Sequence, residues 1–246
     1  MKVLKIAGIC VLIVGICAYL IFAMIDFNTP REEKACSGVL LTIDNSTPSA
    51  FIDANEIIRI LKEKNLYPQG KKMSYIDSRK IENTLLQNPF IEKAECYKTP
   101  GGKINITILQ RLPTIRIISI NGDSYYLDHQ GKIMPGRNYA ASLVIATGYI
   151  NKKYAIHHLS KIGRILQEDK FWNYQLEQVY VLKTGEIELV PRVGDQIIFI
   201  GKPTQLKDKF KRLKLFYKYG LSKIGWNKYS RIDAQYSNQI ICTKRQ

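Results

Sequence analysis

The sequence predicts an α+β protein in three parts: an N-terminal transmembrane helix, a small α+β module, and a mixed β-rich domain with flanking helices. Three observations lead there. Ile6 to Ile25 holds no charge, Pro, Asn or Gln. Behind it, strand-like and helix-like periodicities follow in the order strand, helix, helix, strand, strand. Beyond Leu112, short strand-like segments dominate, divided by turn signals and two helical stripes. The 246 residues are 46% hydrophobic and 24% charged, which is a folding composition rather than a disordered one.

The apolar run is about as long as a helix needs to cross a bilayer core. A cleaved signal would carry a shorter run ending in small residues. Here the run ends in Phe22-Ala23-Met24-Ile25. A lipoprotein cysteine would follow a small residue, whereas Cys10 and Cys17 each follow Ile. The expectation is therefore an uncleaved anchor over residues 6–25, preceded by a short cytoplasmic tail, 1–5. Lys2 and Lys5 precede the run and Asp26 follows it, so the N-terminus stays in the cytoplasm and the bulk lies outside. A net charge of +16 would suggest nucleic acid in a cytosolic protein. Outside the cytoplasm it faces anionic lipid or an acidic partner instead. The bilayer is thus an expected partner and nucleic acid is not.

Residues 26–37 are polar and include Pro30, as a linker would be. The first module is placed at 38–112. Val39, Leu41 and Ile43 alternate as a strand. Asp53 followed by Glu56 starts a helix carrying Ile57, Ile60 and Leu61, which Asn65 and Pro68 end. Asp77 or Ser78 caps a second helix with Ile81 and Leu85, and Asn88-Pro89 stops it. Ile91 to Tyr97 reads as a strand, Pro100-Gly101-Gly102 as a turn, and Ile104, Ile106 and Ile108 as one wet-and-dry strand.

The β-rich domain is placed at 113–246. Ile115 to Ile120 is apolar, and Asn121-Gly122 suits a tight hairpin into Tyr125-Tyr126-Leu127. Asp128 to Gly131 is a second turn ahead of Ile133 and Met134. Ala155, Leu159, Ile162 and Leu166 form a helical stripe. Val179–Leu182, Glu186–Val190 and Gln196–Ile200 read as successive antiparallel strands. Leu206, Phe210, Leu213 and Tyr217 make a second amphipathic helix, and Ile232 to Cys242 reads as one long strand.

Candidate chemistry is sparse. His157 and His158 are adjacent at a helix start, where side chains diverge, so they read as surface. Asp128 reads as a cap of its own turn rather than an acid catalyst. Gly201-Lys202-Pro203-Thr204 lacks the spacing of a phosphate loop. Cys36, Cys96 and Cys242 are an odd, scattered set without metal spacing, and any pairing among them is open. No nucleophile elbow or zinc motif occurs. The expectation is no enzyme and no cofactor. Lys207, Lys209, Lys211, Arg212, Lys214 and Lys218 cluster on the last long helix, opposed by Asp208. They read as a solvated face, or as a contact for anionic headgroups or an acidic partner.

Several motifs together resemble a known family. They are Leu86-Gln87-Asn88-Pro89-Phe90-Ile91 with Ala94 and Cys96, then Ile104 to Ile108 leading into Arg111-Leu112-Pro113. Tyr126-Leu127-Asp128-His129-Gln130-Gly131 through Pro135 follows, then Val144-Ile145-Ala146-Thr147-Gly148, and finally Arg231-Ile232-Asp233-Ala234-Gln235-Tyr236. In this order they resemble FtsQ/DivIB, bitopic proteins of the cell-division machinery, and the first module resembles their POTRA domain. Ala234-Gln235 departs from the Leu-Arg usual there, and Asn45-Ser46 stands in place of a common glycine.

The resemblance implies a non-enzymatic divisome scaffold in the cytoplasmic (inner) membrane at the septum, with its bulk in the periplasm. It implies a POTRA-like module that engages other divisome proteins. It also implies a β domain that binds FtsB-like and FtsL-like small membrane proteins, linked to septal peptidoglycan synthesis. The competing class is a POTRA-bearing envelope transport or assembly protein, but no series of lipid-facing strands follows the module. A long strand at a sheet edge would offer unpaired amides to a partner strand. The expected partner-binding residues are Ile232, Asp233, Gln235, Tyr236, Asn238, Gln239 and Ile240, with Tyr236 and Ile240 as anchors.

Overall fold

A computed structural model describes residues 12–22, 33–44, 51–136 and 143–246. Residues 12–22 form helix α1. The rest of the expected anchor, 6–11 and 23–25, lies outside the described residues. Among the described residues no helix is long and apolar enough to cross a membrane.

Two compact units follow from the contacts. Unit one takes the described residues up to Asp44, with Ile52–Gln87 and Lys93–Leu109; unit two takes Phe51, Asn88–Glu92 and Gln110–Gln246.

Unit one is built on strands β1 (Gly38–Asp44), β2 (Ile91–Lys98) and β3 (Lys103–Gln110), in the order β1-β3-β2. β1 runs parallel to β3, Val39 opposite Ile104 and Ile43 opposite Ile108. The predicted alternation holds on central β3, where Ile104, Ile106 and Ile108 are fully buried. Each such side chain contributes about 1.5–3 kcal/mol over exposure. Helix α2 (Ala54–Glu63) starts where the Asp53 carboxylate accepts from the Glu56 N–H at 2.7 Å. Helix α3 (Ser78–Leu85) starts likewise, Asp77 accepting from Lys80 N–H at 3.0 Å. These caps satisfy first-turn amides that have no partner inside the helix. Ile57 and Leu61 of α2, and Ile81 and Leu85 of α3, form their buried stripes.

Unit two is a nine-stranded mixed sheet. Its strands are β4 (Pro113–Ser119), β5 (Ser124–Asp128), β6 (Ile133–Pro135), β7 (Ile145–Gly148), β8 (Leu176–Val181), β9 (Ile187–Pro191), β10 (Ile197–Gly201), β11 (Tyr229–Asp233) and β12 (Ile241–Lys244). They lie in the order β12-β11-β10-β9-β8-β7-β4-β5-β6. The Asn121-Gly122 hairpin joins β4 to β5, with Gly122 at φ +87°. β8, β9 and β10 are antiparallel neighbours, as expected. β7 lies between β4 and β8, parallel to both. Helices α4 (Lys152–Tyr154) and α5 (Ser160–Glu168) are joined by a π turn at Ala155–Leu159. Together they present the predicted stripe of Ala155, Leu159, Ile162 and Leu166 to the core. Gly163 lets α5 come close to β4: a Cβ there would stand 2.4 Å from Thr114 Oγ1. Short helix α6 (Lys170–Gln175) carries Trp172, whose ring meets Phe210 at 5.1 Å and Tyr217 at 5.7 Å. Phe210 belongs to α7 (Leu206–Phe216), which continues through a π turn, Tyr217–Leu221, into α8 (Ser222–Ile224).

Candidate partner-binding edge

The last two strands close one side of the nine-stranded sheet. β11 runs parallel to β10, Ile198 opposite Ile232, and β12 returns antiparallel to β11, Ile232 opposite Cys242. β12 ends the strand order, and among the described residues no strand pairs with its outer side. Arg245 N–H donates to Lys228 O at 3.0 Å and Ser230 Oγ to Thr243 O at 3.4 Å, so residues 243 and 245 direct their backbone groups at β11. Strand alternation then turns the Cys242 and Lys244 amides outward. Ile241, 47% exposed, adds apolar surface to this edge.

This corrects the single long strand expected over Ile232–Cys242. β11 stops at Asp233, the chain bends through 234–240, and a separate four-residue strand follows. Local side chains make the break. Asp233 Oδ1 accepts from Gln235 N–H at 3.0 Å and Oδ2 from Gln235 Nε2 at 2.8 Å, an Asx-type turn. Arg212 Nη2 donates to Tyr236 O at 2.6 Å, holding the bend against α7. Ser237-Asn238-Gln239, a polar cluster between apolar residues, is the signal that could have marked it.

The seven expected residues are consequently divided. Ile232 is buried in the core and Ala234, beyond Asp233, continues the ladder by donating to Phe199 O at 2.8 Å. Asp233 and Gln235 are half-buried in the turn. Tyr236 is 46% exposed, Asn238 and Gln239 are exposed in the bend, and Ile240 packs partly against the core. Tyr236 and Ile240 therefore do not share a strand face. The sequence reading missed β12 itself.

The basic helix is also less uniform than expected. Lys209 is buried and donates to Ile200 O at 2.8 Å and Lys202 O at 2.9 Å. It ties α7 to the end of β10. Burial and neighbouring Arg212 push its pKa down, while Asp233 opposes them. Arg212 is half-buried, and Lys214 pairs with Asp169 at 2.7 Å. Lys207, Lys211 and Lys218 remain exposed.

Elsewhere in unit two, Asp128 is fully buried and its carboxylate accepts from Gln130 N–H at 2.9 Å and Lys132 N–H at 2.7 Å. It also accepts from Arg111 Nη1. Arg111 further donates to Pro89 O and Ile91 O, at 3.1 and 3.0 Å. With both oxygens accepting, Oδ1 from the two turn amides and Oδ2 from Arg111, the carboxylate is a turn brace. His157 bonds Lys153 O at 2.8 Å, while the His158 ring lies tilted against Tyr154 at 4.8 Å, so the two imidazoles diverge. Among the described residues no His/Cys/Asp/Glu group could hold a metal, and Cys17, Cys36, Cys96 and Cys242 are free thiols.

A family model described as FtsQ/DivIB, C-terminal related matches residues 112–243, more than half of the chain. The chain belongs to the FtsQ/DivIB family. A second model, of a POTRA-like domain, matches residues 34–109. No curated protein matches the chain. The FtsQ/DivIB assignment makes this a division-related protein of a family of membrane proteins, and neither that family nor POTRA-like domains are typically catalytic. The motifs that carried the resemblance have physical roles here. Gly131 and Gly148 sit at φ +84° and +102°, and the Arg111–Asp128 pair joins the Arg-Leu-Pro segment to the Leu-Asp turn.

Proposed function

We propose that the chain is a non-enzymatic scaffold of the division septum, anchored in the cytoplasmic membrane by residues 6–25, with its bulk in the periplasm. Its POTRA-like unit engages other divisome proteins. Unit two captures FtsB-like and FtsL-like membrane partners, connecting them to septal peptidoglycan synthesis. The observation that carries this reading is β12, a short outermost strand whose outer side has no partner strand among the described residues. An incoming strand would pair with the outward amides of Cys242 and Lys244, main-chain bonds giving affinity and flanking side chains giving specificity. Exposed Tyr236 and Ile241 supply apolar contact on either side of the bend.

The test uses two variants in partner pull-down. Lys244→Pro removes an outward amide. Tyr236→Ala removes the exposed ring. Both should weaken capture of an FtsB-like partner by tenfold or more, the order of a hot-spot truncation. A folded Lys244→Pro variant that captures its partner as well as the parent chain does would rule out docking at β12. Gln239→Pro, aimed at the strand expected from sequence, falls in the bend and should have little effect.

A further inference from the structure

Unit one is cationic where the chain arrives from the apolar run. Backbone bonds gather that end. Cys36 N–H donates to Lys71 O at 2.8 Å, Gly70 N–H to Cys36 O at 2.9 Å, Met73 N–H to Lys34 O at 3.0 Å and Ser37 N–H to Gly102 O at 2.9 Å. Ala35 bridges Lys72, and Lys98 Nζ donates to Met73 O at 2.5 Å. Lys103 begins β3 opposite Gly38. Lys34, Lys71, Lys72, Lys98 and Lys103 are all exposed there. Among the described residues Glu33 forms an ion pair with Lys72 at 2.8 Å. A cleft of about 600 Å³ lies among Lys34, Ser37, Met73, Lys98, Thr99 and the Pro100-Gly101 turn. Tyr75, two residues beyond Met73 of the cleft, is 78% exposed.

We propose that this end of unit one docks on the headgroups of an anionic bilayer. The inference rests on the membrane-anchor reading of Ile6 to Ile25. If that run spans the bilayer, Asp26 to Glu32 joins it to the cluster, and so short a segment reaches at most about 25 Å. The lysines are therefore tethered within reach of a lipid surface whatever path the joining residues take. A cation close to an anionic membrane gains roughly fivefold in partition, within about one Debye length. Lys34 and Lys98, which line the cleft, present positive charge to a lipid phosphate, and exposed Tyr75 suits the interface, where an aromatic ring can rest in the headgroup layer. Docking would set the orientation of unit one relative to the membrane.

The test uses the full chain in lipid nanodiscs carrying Gly101→Trp and a trace of lipid with a nitroxide on its headgroup. Gly101 is exposed, and an added Cβ there meets nothing within 4 Å. The added emission should be quenched several-fold more in discs rich in phosphatidylglycerol than in phosphatidylcholine alone. The excess should vanish at about 0.5 M salt, where screening shortens to a few ångströms. It should also vanish with Lys71→Gln, Lys98→Gln and Lys103→Gln combined; if that variant misfolds, the salt series on the parent chain decides. A chain that enters the discs but is quenched equally in both lipids overturns the docking proposal and leaves the lysines to an acidic protein. A chain that never enters the discs fails earlier, on the anchor reading, and takes the proposal with it.

Discussion

Replacing Asp128 with Ala should destabilise unit two by about 3–5 kcal/mol, the usual effect of removing one member of a buried ion pair. Asp128 is fully buried and Arg111 is 8% exposed. The guanidinium would be left without its counter-charge. Without the carboxylate it keeps only the Pro89 and Ile91 carbonyls, and the Gln130 and Lys132 amides lose their shared acceptor. Urea unfolding followed by the emission of buried Trp172 measures the loss. With a slope of about 1–3 kcal/mol per molar urea, the midpoint should fall by roughly 1–5 M. Arg111→Met combined with Asp128→Ala removes both charges and should recover part of the loss, because apolar replacement of a whole buried pair is often neutral. Two results would refute the reasoning: Asp128→Ala within about 1 kcal/mol of the parent, or a double variant no more stable than the single one.

Burial pushes Tyr217 from its ordinary value up to about 12, against hydrogen bonds to Gln196 and Gln175 that lower it. The folded state thus holds this proton more tightly, so the associated stability is complete below pH 10 and is lost as pH rises toward 12. That is about 2–3 kcal/mol, and Tyr217→Phe should flatten the alkaline limb of a stability-versus-pH curve. Gly148→Ala should destabilise by about 2–4 kcal/mol, combining the strain of a φ of +102° with a Cβ 2.2 Å from Val181 O; calorimetry should report a Tm lowered by several degrees.

The sequence by itself determined the elements whose signals are local. Ile104, Ile106 and Ile108 alternate because one face of β3 is wet, and Asp53 and Asp77 lie where helix amides lack partners. Asn121-Gly122 turns tightly because glycine tolerates positive φ there. The apolar stripes of α5 and α7 repeat at the helical period. The same local signals, taken in order, carried the family resemblance. Tertiary structure decided what depends on distant residues. β7 has four residues and lies between two parallel neighbours, too short for a period to emerge. α6 forms a single turn and a half around Trp172, held by rings from α7 and the turn after it. Lys209 looks like part of a solvated face until β10 brings two carbonyls to its ammonium. The strand expected through Cys242 breaks because Asp233 turns the chain and Arg212, on another element, holds the bend. An outer edge exists only once all nine strands are ordered, so β12 could be recognised only in the folded sheet, where pairing on one side leaves the other open.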